Sequence, residues 1–383
     1  MNTDALQAAL RPHAEVLRRH ALAIDADPTS LHSLLGSGEV PFRQLSGLPP
    51  EYVDDPLRVD GEPLHIRTCL ARAVASETLA WGDASVVVGA HGPSMSGVLV
   101  DDLGDDEQRD RFYSVVAGTP TWTFFALTEP DRGSDAGAMT ASLSGDGVGG
   151  GLLQGTKKYV GNAARASTGV LFARHRPGPL GVGVYLVDAT RPGLDATPLT
   201  TLGLRGVELS EIRLRDVVVE PADVLGRHLS PTRRGLLGAV RTFTRLRPVV
   251  GALGLGVAQA AHDYVVDNRR TLRVHERASL DRFADRLHAT RTMVRSAAAA
   301  ADQDPTDGTL SALAKAAAIT LADDLTAAAP AFFGAGSRWE HPLLDKLIRD
   351  VRGLELMEGT TTIQRLTVAR GYLQGRTLDV AIS

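Results

Sequence analysis

The sequence predicts a mostly helical protein with a central β domain, because the spacing of its apolar residues changes twice along the chain. Residues 1–122 and 230–383 repeat apolar side chains at the three- and four-residue intervals of one-sided helices. Residues 123–229 instead alternate over short segments separated by Gly, Pro and Asp turns. We therefore expect an N-terminal helical domain, a small antiparallel β domain and a C-terminal helical bundle.

The N-terminal part contains three segments with helical spacing of apolar residues. They are Thr3 to His20, Leu64 to Trp81 and Asp106 to Val116. Pro49-Pro50 and Gly92-Pro93 are expected to separate these helices, because both pairs favour turns. The spacing therefore predicts short connections between helices that pack through one apolar face each.

The central part contains short segments that are rich in β-branched and aromatic residues. The clearest are Thr123–Leu127, Gly169–Ala173, Val182–Val187 and Glu211–Leu214. Their alternation indicates antiparallel strands. In the C-terminal part, Val249 to Ala261 is the most apolar stretch, and it is too short to cross a bilayer, so it predicts a buried helix. Leu280 to Ala301 and Thr309 to Ala328 are Ala-rich and amphipathic, as bundle helices are.

The composition argues against several classes of partner. The 383 residues carry a formal net charge of −4 without a long basic tract, so nothing favours nucleic acid or an anionic membrane. Cys69 is the one cysteine, which excludes an intrachain disulfide and a Cys-based metal site. The N-terminus lacks the basic and apolar regions of a secretion signal, so we expect a cytoplasmic protein.

Common catalytic motifs do not fit the sequence. Gly254-Leu255-Gly256 is followed by Gln259 where a dinucleotide-binding loop needs a third glycine. Thr156-Lys157 reverses the residue order that a phosphate-binding P-loop requires. The His residues never fall at metal-ligand spacing and there is no Gly-x-Ser-x-Gly elbow, so we expect neither a metal site nor a serine hydrolase.

Two pairs of stretches carry residues that are suited to chemistry. They are Leu127–Asp135 with Gly155–Asn162, and Leu347–Asp350 with Leu356–Arg365. In the first pair, Gly133 and Ser134 are small enough for their backbone N–H groups to point at a phosphate oxygen. An ordinary turn capped by Asp135 needs the same small residues, so the loop alone leaves both interpretations open.

Glu358 is the acid of the second pair that is suited to catalysis. It follows the apolar pair Leu356-Met357 and precedes Gly359. Burial raises the pKa of a carboxyl group, and a pKa moved toward the working pH suits a general base that attacks a carbon acid. A helix-capping or surface Glu is the plainer interpretation for a single acid taken alone.

These stretches resemble the two signature regions of the acyl-CoA dehydrogenase family, in the same order and in the corresponding domains. Glu358-Gly359-Thr360 is similar to the family's catalytic Glu-Gly-Thr, and the resemblance extends to Ala23–Pro28 and Asp216–Pro221. It implies an N-terminal helical domain, a small antiparallel β-barrel domain, a C-terminal four-helix bundle and FAD as the cofactor. It also favours the phosphate interpretation of the Gly133 loop, because Tyr159 to Asn162 follows at the family's distance.

The resemblance implies roles for individual residues. The implied cofactor contacts are Phe125, Leu127, Thr128, Arg132, Gly133, Ser134, Tyr159, Gly161, Thr360 and Thr362. The implied contacts of the acyl thioester are Ser134, Arg247 and Gly359. Glu358 is expected to remove the α proton while the β hydrogen leaves as hydride to flavin N5, and its backbone N–H is expected to polarise the thioester carbonyl.

The resemblance also implies partners. The substrate is expected to be an acyl thioester of coenzyme A or of an acyl carrier protein. The electron acceptor is expected to be an electron-transfer flavoprotein or oxygen. The flat Gly-rich and Ala-rich faces of the expected bundle favour a homodimer or a homotetramer.

The sequence departs from the family pattern around the cofactor. Gly161 stands where a Thr hydroxyl usually meets flavin N5, and Asp131-Arg132 replaces a small Gly-Ala pair. Leu272-Arg273 lies in a turn roughly three residues shorter than the family's Arg-x-x-Phe-Gly turn. Ala331 replaces a Gln that meets the adenine across the dimer, and Thr244 replaces an acidic residue near the carrier. We expect these changes to weaken the hold on FAD.

Two other functions stay open at this point. A flavin-dependent oxidase or monooxygenase on the same fold would lack the catalytic Glu, so Glu358 argues against it. A flavin-poor partner subunit of a heteromeric dehydrogenase would carry departures such as those at Leu272-Arg273 and Ala331. Bound flavin, visible as a yellow purified protein, would exclude the second alternative.

Overall fold

The computed structural model describes residues 2–118 and 120–376. Met1, Thr119 and residues 377–383, the end of the expected bundle, lie outside the described residues. The helices are α1 Thr3–Ala26, α2 Ser30–Gly36, α3 Phe42–Leu45, α4 Cys69–Gly89, α5 Ser94–Leu103, α6 Asp106–Gly118, α7 Gly235–Asn268, α8 Val274–Gln303, α9 Thr309–Ala328, α10 Ser337–Glu340, α11 Pro342–Leu356 and α12 Thr361–Leu373. The strands are β1 Arg58–Val59, β2 Glu62–Pro63, β3 Trp122–Ala126, β4 Ser142–Ser144, β5 Gly151–Val160, β6 Ala166–Arg174, β7 Val182–Asp188, β8 Leu194–Pro198 and β9 Ser210–Val219. The mostly helical fold with a central β domain is confirmed.

The second long helix of the N-terminal part, α4, begins later and runs further than the expected Leu64 to Trp81. Thr68 accepts a hydrogen bond from Ala71 N at 3.1 Å, and this cap starts the helix at Cys69. Asp83 then leaves the helical conformation, with φ −161° and ψ 111°. Its carboxylate accepts the N–H of Ser85 at 2.7 Å, as a cap does, so a second helical segment starts there.

The central sheet has seven strands in the order β3-β6-β4-β5-β9-β8, with β7 paired to β6. The β4–β5, β5–β9, β8–β9 and β6–β7 pairs are antiparallel, as expected. The β3–β6 pair, from Trp122 to Ala126, and the β4–β6 pair differ from the antiparallel expectation and are parallel. The β4–β5 hairpin lies between β3 and β6 in sequence, and the chain reverses again after β5, so β6 runs in the direction of β3 and β4.

Helices α8, α9 and α11 pack against the long helix α7, and α12 packs against α9. Helix α7 has 34 residues and continues through Pro248, so it is much longer than the Val249 to Ala261 stretch that predicted it. By length and composition it could cross a bilayer, which corrects the expectation from its apolar stretch alone. Because 67% of its most apolar window is buried inside the protein, it is the central core helix of the bundle.

A buried ion cluster joins all three parts of the chain. Lys346 Nζ of α11 lies 3.0 Å from Asp83 Oδ1 and 2.5 Å from Asp350 Oδ2. The second oxygen of Asp350 accepts the N–H of Leu204, in the loop that precedes β9, at 2.6 Å. The neighbouring Arg349 pairs with Asp25 of α1 at 2.6 Å. The cluster therefore fixes the kink of α4 against α11 and the β domain.

Glycine 256 allows α4 and α7 to approach closely. A Cβ added at Gly256 would overlap the carbonyl oxygen of Glu77 in α4, whereas a Cβ at Gly251 would meet its nearest neighbour, Lys315 Cα, at an ordinary 3.4 Å. We expect Gly256→Ala to lower the melting temperature, because overpacking against backbone costs about 1–3 kcal/mol. We expect Gly251→Ala to leave it unchanged or to raise it, since Ala favours helix by about 1 kcal/mol. Thermal unfolding of the two variants checks this, and equal melting temperatures would contradict it.

Candidate active site

The end of β3 and the end of β5 form a half-open ledge where the flavin ring was expected. Phe125 packs between Phe172 and Phe243, at ring distances of 5.3 Å and 6.1 Å. Thr128 O accepts the N–H of Lys158 at 2.9 Å, which joins the two strand ends. Tyr159 follows with a left-handed φ of 60° and leaves its ring 55% exposed. An exposed ring beside half-buried side chains fits a planar apolar ligand.

The loop that follows the ledge exposes Arg132, Gly133 and Ser134, which were expected to meet a pyrophosphate. A Cβ at Gly133 would come within contact distance only of Thr128 Cγ2, at 3.6 Å, so one side of this loop is open. Arg132 makes no side-chain hydrogen bond or ion pair with the residues that the structure describes. Accessible backbone N–H groups and a free guanidinium suit a phosphate group, so these residues fit the implied cofactor.

A buried ion pair holds the base of this loop. The Glu129 carboxylate accepts the N–H and the hydroxyl of Thr140 at 2.7 Å each, and the N–H of Ala141 at 2.8 Å. Lys157 Nζ donates to Glu129 Oε1 and to Leu127 O, both at 3.0 Å. Burial alone would raise the pKa of Glu129, but the hydrogen bonds from Thr140 and the charge of Lys157 hold it below its usual value. Sequence inspection missed this pair, because Lys157 was read only as a failed P-loop residue.

Gly161, the departure expected to affect flavin reactivity, packs against the loop before β9. A Cβ at Gly161 would lie 3.1 Å from Val207 Cγ1, and the next residue, Asn162, donates its N–H to Val207 O at 3.0 Å. The Asn162 side chain reaches Val88 O of α4 at 3.5 Å. Glycine at position 161 therefore allows the end of β5 and the loop before β9 to approach closely. It offers only backbone groups to a ligand.

Glu358 lies in the tight turn between α11 and α12. The turn requires left-handed conformations at Glu358, with φ 53°, and at Gly359, with φ 92°. Gln364 Nε2 donates to the carbonyl oxygens of both residues, at 2.8 Å and 3.0 Å. Lys315 Nζ of α9 donates to Gly359 O at 2.7 Å and to Glu355 O at 2.8 Å. These four hydrogen bonds stabilise the turn. The left-handed conformation is easily adopted by Gly359 but is strained for Glu358, which has a side chain.

The Glu358 carboxylate is poised to exchange a proton near neutral pH. Burial raises its pKa to about 7, while the positive charges of Arg247 and Lys315 act in the opposite direction. Its Oε2 atom is enclosed and has no hydrogen-bond partner among the residues described. The Glu358 backbone N–H also has no acceptor within the described part of the chain. The turn therefore presents a free base and a free donor together.

Lys315 is a site residue that sequence inspection missed. It is fully buried, and burial lowers its pKa to about 8 against the opposing charges of Glu355 and Glu358. A sequence signal existed, because Lys315 stands between Ala314 and Ala316 on the apolar face of the Ala-rich helix α9. A single cation on a buried face indicates a specific acceptor nearby.

Glu358 borders an apolar cavity of about 200 Å³ between α4, α7 and the segment that joins α4 to α5. Helix α7 contributes Leu246, Val249, Val250 and Leu253, the turn after α11 contributes Met357 and Glu358, and α4 and its junction with α5 contribute Ala75, Leu79, Val87, Val88, Ala90, His91 and Met95. Arg72 and Ser76 of α4 also line the cavity. Mostly apolar walls beside a carboxylate suit an acyl chain whose reactive end meets a proton acceptor. The cavity therefore offers apolar space beside Glu358.

The remaining expected residues are divided between this site and the surface. Arg247 faces Glu358 closely enough to lower its pKa, and its Nε is enclosed without a partner in the described chain. Thr360 caps α12 by accepting the N–H of Ile363 at 3.4 Å, whereas Thr362 is exposed. Thr244 is buried, and its hydroxyl donates a hydrogen bond to Val240 O at 3.1 Å.

Two of the departures that are expected to weaken the hold on FAD, the short turn at Leu272-Arg273 and Ala331, lie on the surface. The short turn between α7 and α8 leaves Arg273 exposed, while Leu272 packs against the core and Arg269 pairs with Glu276 at 3.1 Å. Ala331 is exposed in the turn after α9. Arg273 and Ala331 are therefore both exposed to solvent in the single chain.

Comparisons with known proteins agree with this geometry. The acyl-CoA dehydrogenase middle domain matches residues 124–217 and the acyl-CoA dehydrogenase C-terminal domain matches residues 233–373. A probable acyl-CoA dehydrogenase of Bacillus subtilis is 30% identical over 287 residues, 71% of this chain and 74% of that protein. The cyclohexane-1-carbonyl-CoA dehydrogenase of Geobacter metallireducens is 30% identical over 261 residues, 65% of this chain and 67% of that protein.

The fold agrees as well. The butyryl-CoA dehydrogenase of Megasphaera elsdenii superposes with a TM-score of 0.82 at 21% identity, over 97% of this chain and 98% of that one. The domain matches, the 30% identical relative from Bacillus subtilis and this superposition cover both the β domain and the helical bundle. The chain therefore belongs to the acyl-CoA dehydrogenase family, whose members are FAD-dependent oxidoreductases that act on CH–CH bonds.

Proposed function

We propose that this enzyme removes the α and β hydrogens of an acyl thioester, with Glu358 as the base that takes the α proton. The observation that carries the proposal is a carboxylate with a pKa of about 7 at the end of an apolar cavity, beside its own unpaired backbone N–H. A base with a pKa near the working pH combines basicity with availability. The cavity supports an apolar acyl group, and the N–H supports a carbonyl oxygen as its partner.

The chain's own residues would bind and orient the reactants. Gly133, Ser134 and Arg132 would hold the FAD pyrophosphate, and Phe125, Leu127, Thr128, Tyr159, Gly161, Thr360 and Thr362 would surround the rest of the flavin. When bound, FAD supplies the hydride acceptor. The Glu358 N–H would stabilise the negative charge that develops on the thioester oxygen, and the cavity walls would exclude water. Ser134, Arg247 and Gly359 would contact the thioester and its carrier, coenzyme A or an acyl carrier protein.

The alternatives are weakened by particular observations. A flavin oxidase or monooxygenase that lacks a carboxylate base has no use for the buried Glu358 or for the Lys315 contacts that hold its turn. A flavin-poor partner subunit has no need of the open Gly133 loop and its buried Glu129–Lys157 support. We therefore favour a cytoplasmic dehydrogenase that passes its electrons to an electron-transfer flavoprotein or to oxygen.

Glutamine at position 358 tests the proposal directly. Glu358→Gln keeps the shape and the backbone N–H of the turn but removes the basicity, so FAD and the thioester should still bind. We expect the rate of flavin bleaching in anaerobic single turnover with a screened acyl thioester to fall by at least about 10²–10⁴-fold. Glu107→Gln, an exposed acid of α6, is the matched control and should react at the parent rate. A loss smaller than about tenfold would assign the base elsewhere.

The pH profile tests the electrostatic environment of the same carboxylate. The second-order rate of flavin bleaching should rise with pH through about 7, because only deprotonated Glu358 can accept a proton. The positive charge of Lys315 lowers the pKa of Glu358, so Lys315→Met should move the midpoint to higher pH. Lys315→Arg keeps the charge and should leave the midpoint close to that of the parent. An unchanged midpoint in Lys315→Met would contradict this assignment.

Exposed apolar side chains near the C-terminal end support a homodimer or a homotetramer. They are Trp339 (82% exposed), Leu356 (71%), Leu366 (62%), Tyr372 (77%) and Leu373 (84%). Large apolar groups at these exposures are typical of surfaces that a second subunit covers. Light scattering of the FAD-bound protein should therefore give at least twice the chain mass, and Leu366→Glu should lower it. A monomer with a full complement of FAD would contradict the prediction.

A further inference from the structure

Arg72 brings a guanidinium group to the wall of the apolar cavity that Glu358 borders. It lies one helical turn before Ala75 and Ser76 on the face of α4 that lines this cavity. Arg72 also lines a second, polar chamber of about 820 Å³, enclosed by α4, α5, α6 and the start of α7. Its side chain therefore stands at the boundary between the acyl cavity and this chamber.

The Arg72 guanidinium has no hydrogen bond and no ion pair among residues 2–118 and 120–376. The other arginines of the chamber are paired: Arg67 with Asp101, Arg109 with Asp106 and Arg245 with Asp102. Asp101 is the carboxylate whose field reaches Arg72. Its two oxygens are already engaged, one with Arg67 and the other with the hydroxyl of Tyr113, both at 2.8 Å. Both oxygens of Asp101 are thus directed at other groups, and within the described chain no carboxylate forms an ion pair with Arg72.

A partly buried cation without a partner is unfavourable. Burial lowers the pKa of Arg72, but a guanidinium group stays protonated in proteins, so the positive charge remains at the cavity wall. Partial removal of a charge from water without a counter-charge costs free energy. A carboxylate that enters the cavity would match the guanidinium fork with two parallel hydrogen bonds and would offset this cost.

We propose that Arg72 binds a carboxylate at the far end of the acyl group, so that the substrates are thioesters of dicarboxylic acids. The proposal rests on the function proposed above, since it takes Glu358 as the site of the reactive end. The two ends of such a substrate then meet different partners: the α carbon meets the Glu358 base and the terminal carboxylate meets Arg72. The apolar side chains between them, such as Leu79 and Val250, accommodate the methylene chain.

The test compares matched thioesters on the FAD-bound enzyme. Acyl-pantetheine thioesters carry the portion that coenzyme A and acyl carrier proteins share, and each straight-chain member is paired with an ω-carboxylated member of equal length. Binding is measured by calorimetry in a Glu358→Gln background, which prevents turnover. We expect the ω-carboxylated member to bind more tightly, and Arg72→Met to weaken its binding by about 10- to 100-fold, the range for hydrogen bonds to charged groups. The same variant should leave the straight-chain affinity unchanged or higher.

Two further variants separate recognition from folding. Arg109→Met removes a guanidinium that lines only the polar chamber and pairs with Asp106, so Asp101 stays paired with Arg67, and this variant should keep the preference for the carboxylated member. Arg72→Lys keeps the charge without the planar fork and should retain part of the preference. If Arg72→Met weakens both members equally, or if the parent prefers the straight-chain member, Arg72 is not a carboxylate receptor. If neither member bleaches flavin on the enzyme with Glu358 intact, the proposed function and this inference both fail.

Discussion

The geometry of the site depends on one buried ammonium group, that of Lys315. It donates to the carbonyl oxygens of Glu355 and Gly359 and thereby clamps the turn that presents Glu358. The turn places a non-glycine residue in the left-handed region, which its surroundings must enforce. Burial raises the pKa of Glu358, and the same ammonium, together with Arg247, lowers it, so one group contributes to both the position and the proton affinity of this carboxylate.

Two more buried lysines act in the same way at the junctions around the site. Lys157 joins the end of β3 to the loop that contains Gly133 through Glu129, and Lys346 joins α4, α11 and the β domain through Asp83 and Asp350. A buried ion pair gives little net stability, but removing one partner is strongly destabilising, because it leaves an unpaired charge in the core. Such pairs therefore determine the relative placement of the elements more than they raise the free energy of unfolding.

The order of the helices and the β insert could be predicted from the sequence, and Glu358 could be proposed there as the base, because each leaves a local pattern. Apolar spacing marks helices such as α1, and Glu358-Gly359-Thr360 is a contiguous motif. The parallel β3–β6 pairing, the kink at Asp83 and the roles of Lys315 and Arg72 could not be read, because each depends on residues far apart in the chain. An unpaired charge such as that of Arg72 is recognised only once every possible partner has been located.

The charges near Glu358 also explain how a base can work inside an apolar cavity. Burial raises its pKa, and the cations Arg247 and Lys315 limit that rise, so the ionised form is available near neutral pH. In the proposed reaction, a proton would move from the substrate α carbon to Glu358, and the negative charge would move from the carboxylate to the thioester oxygen. The net charge of the site would be unchanged by this step, so the field of the two cations would need no rearrangement to stabilise the product. The same groups that hold the base ionised would therefore also favour the enolate that it creates.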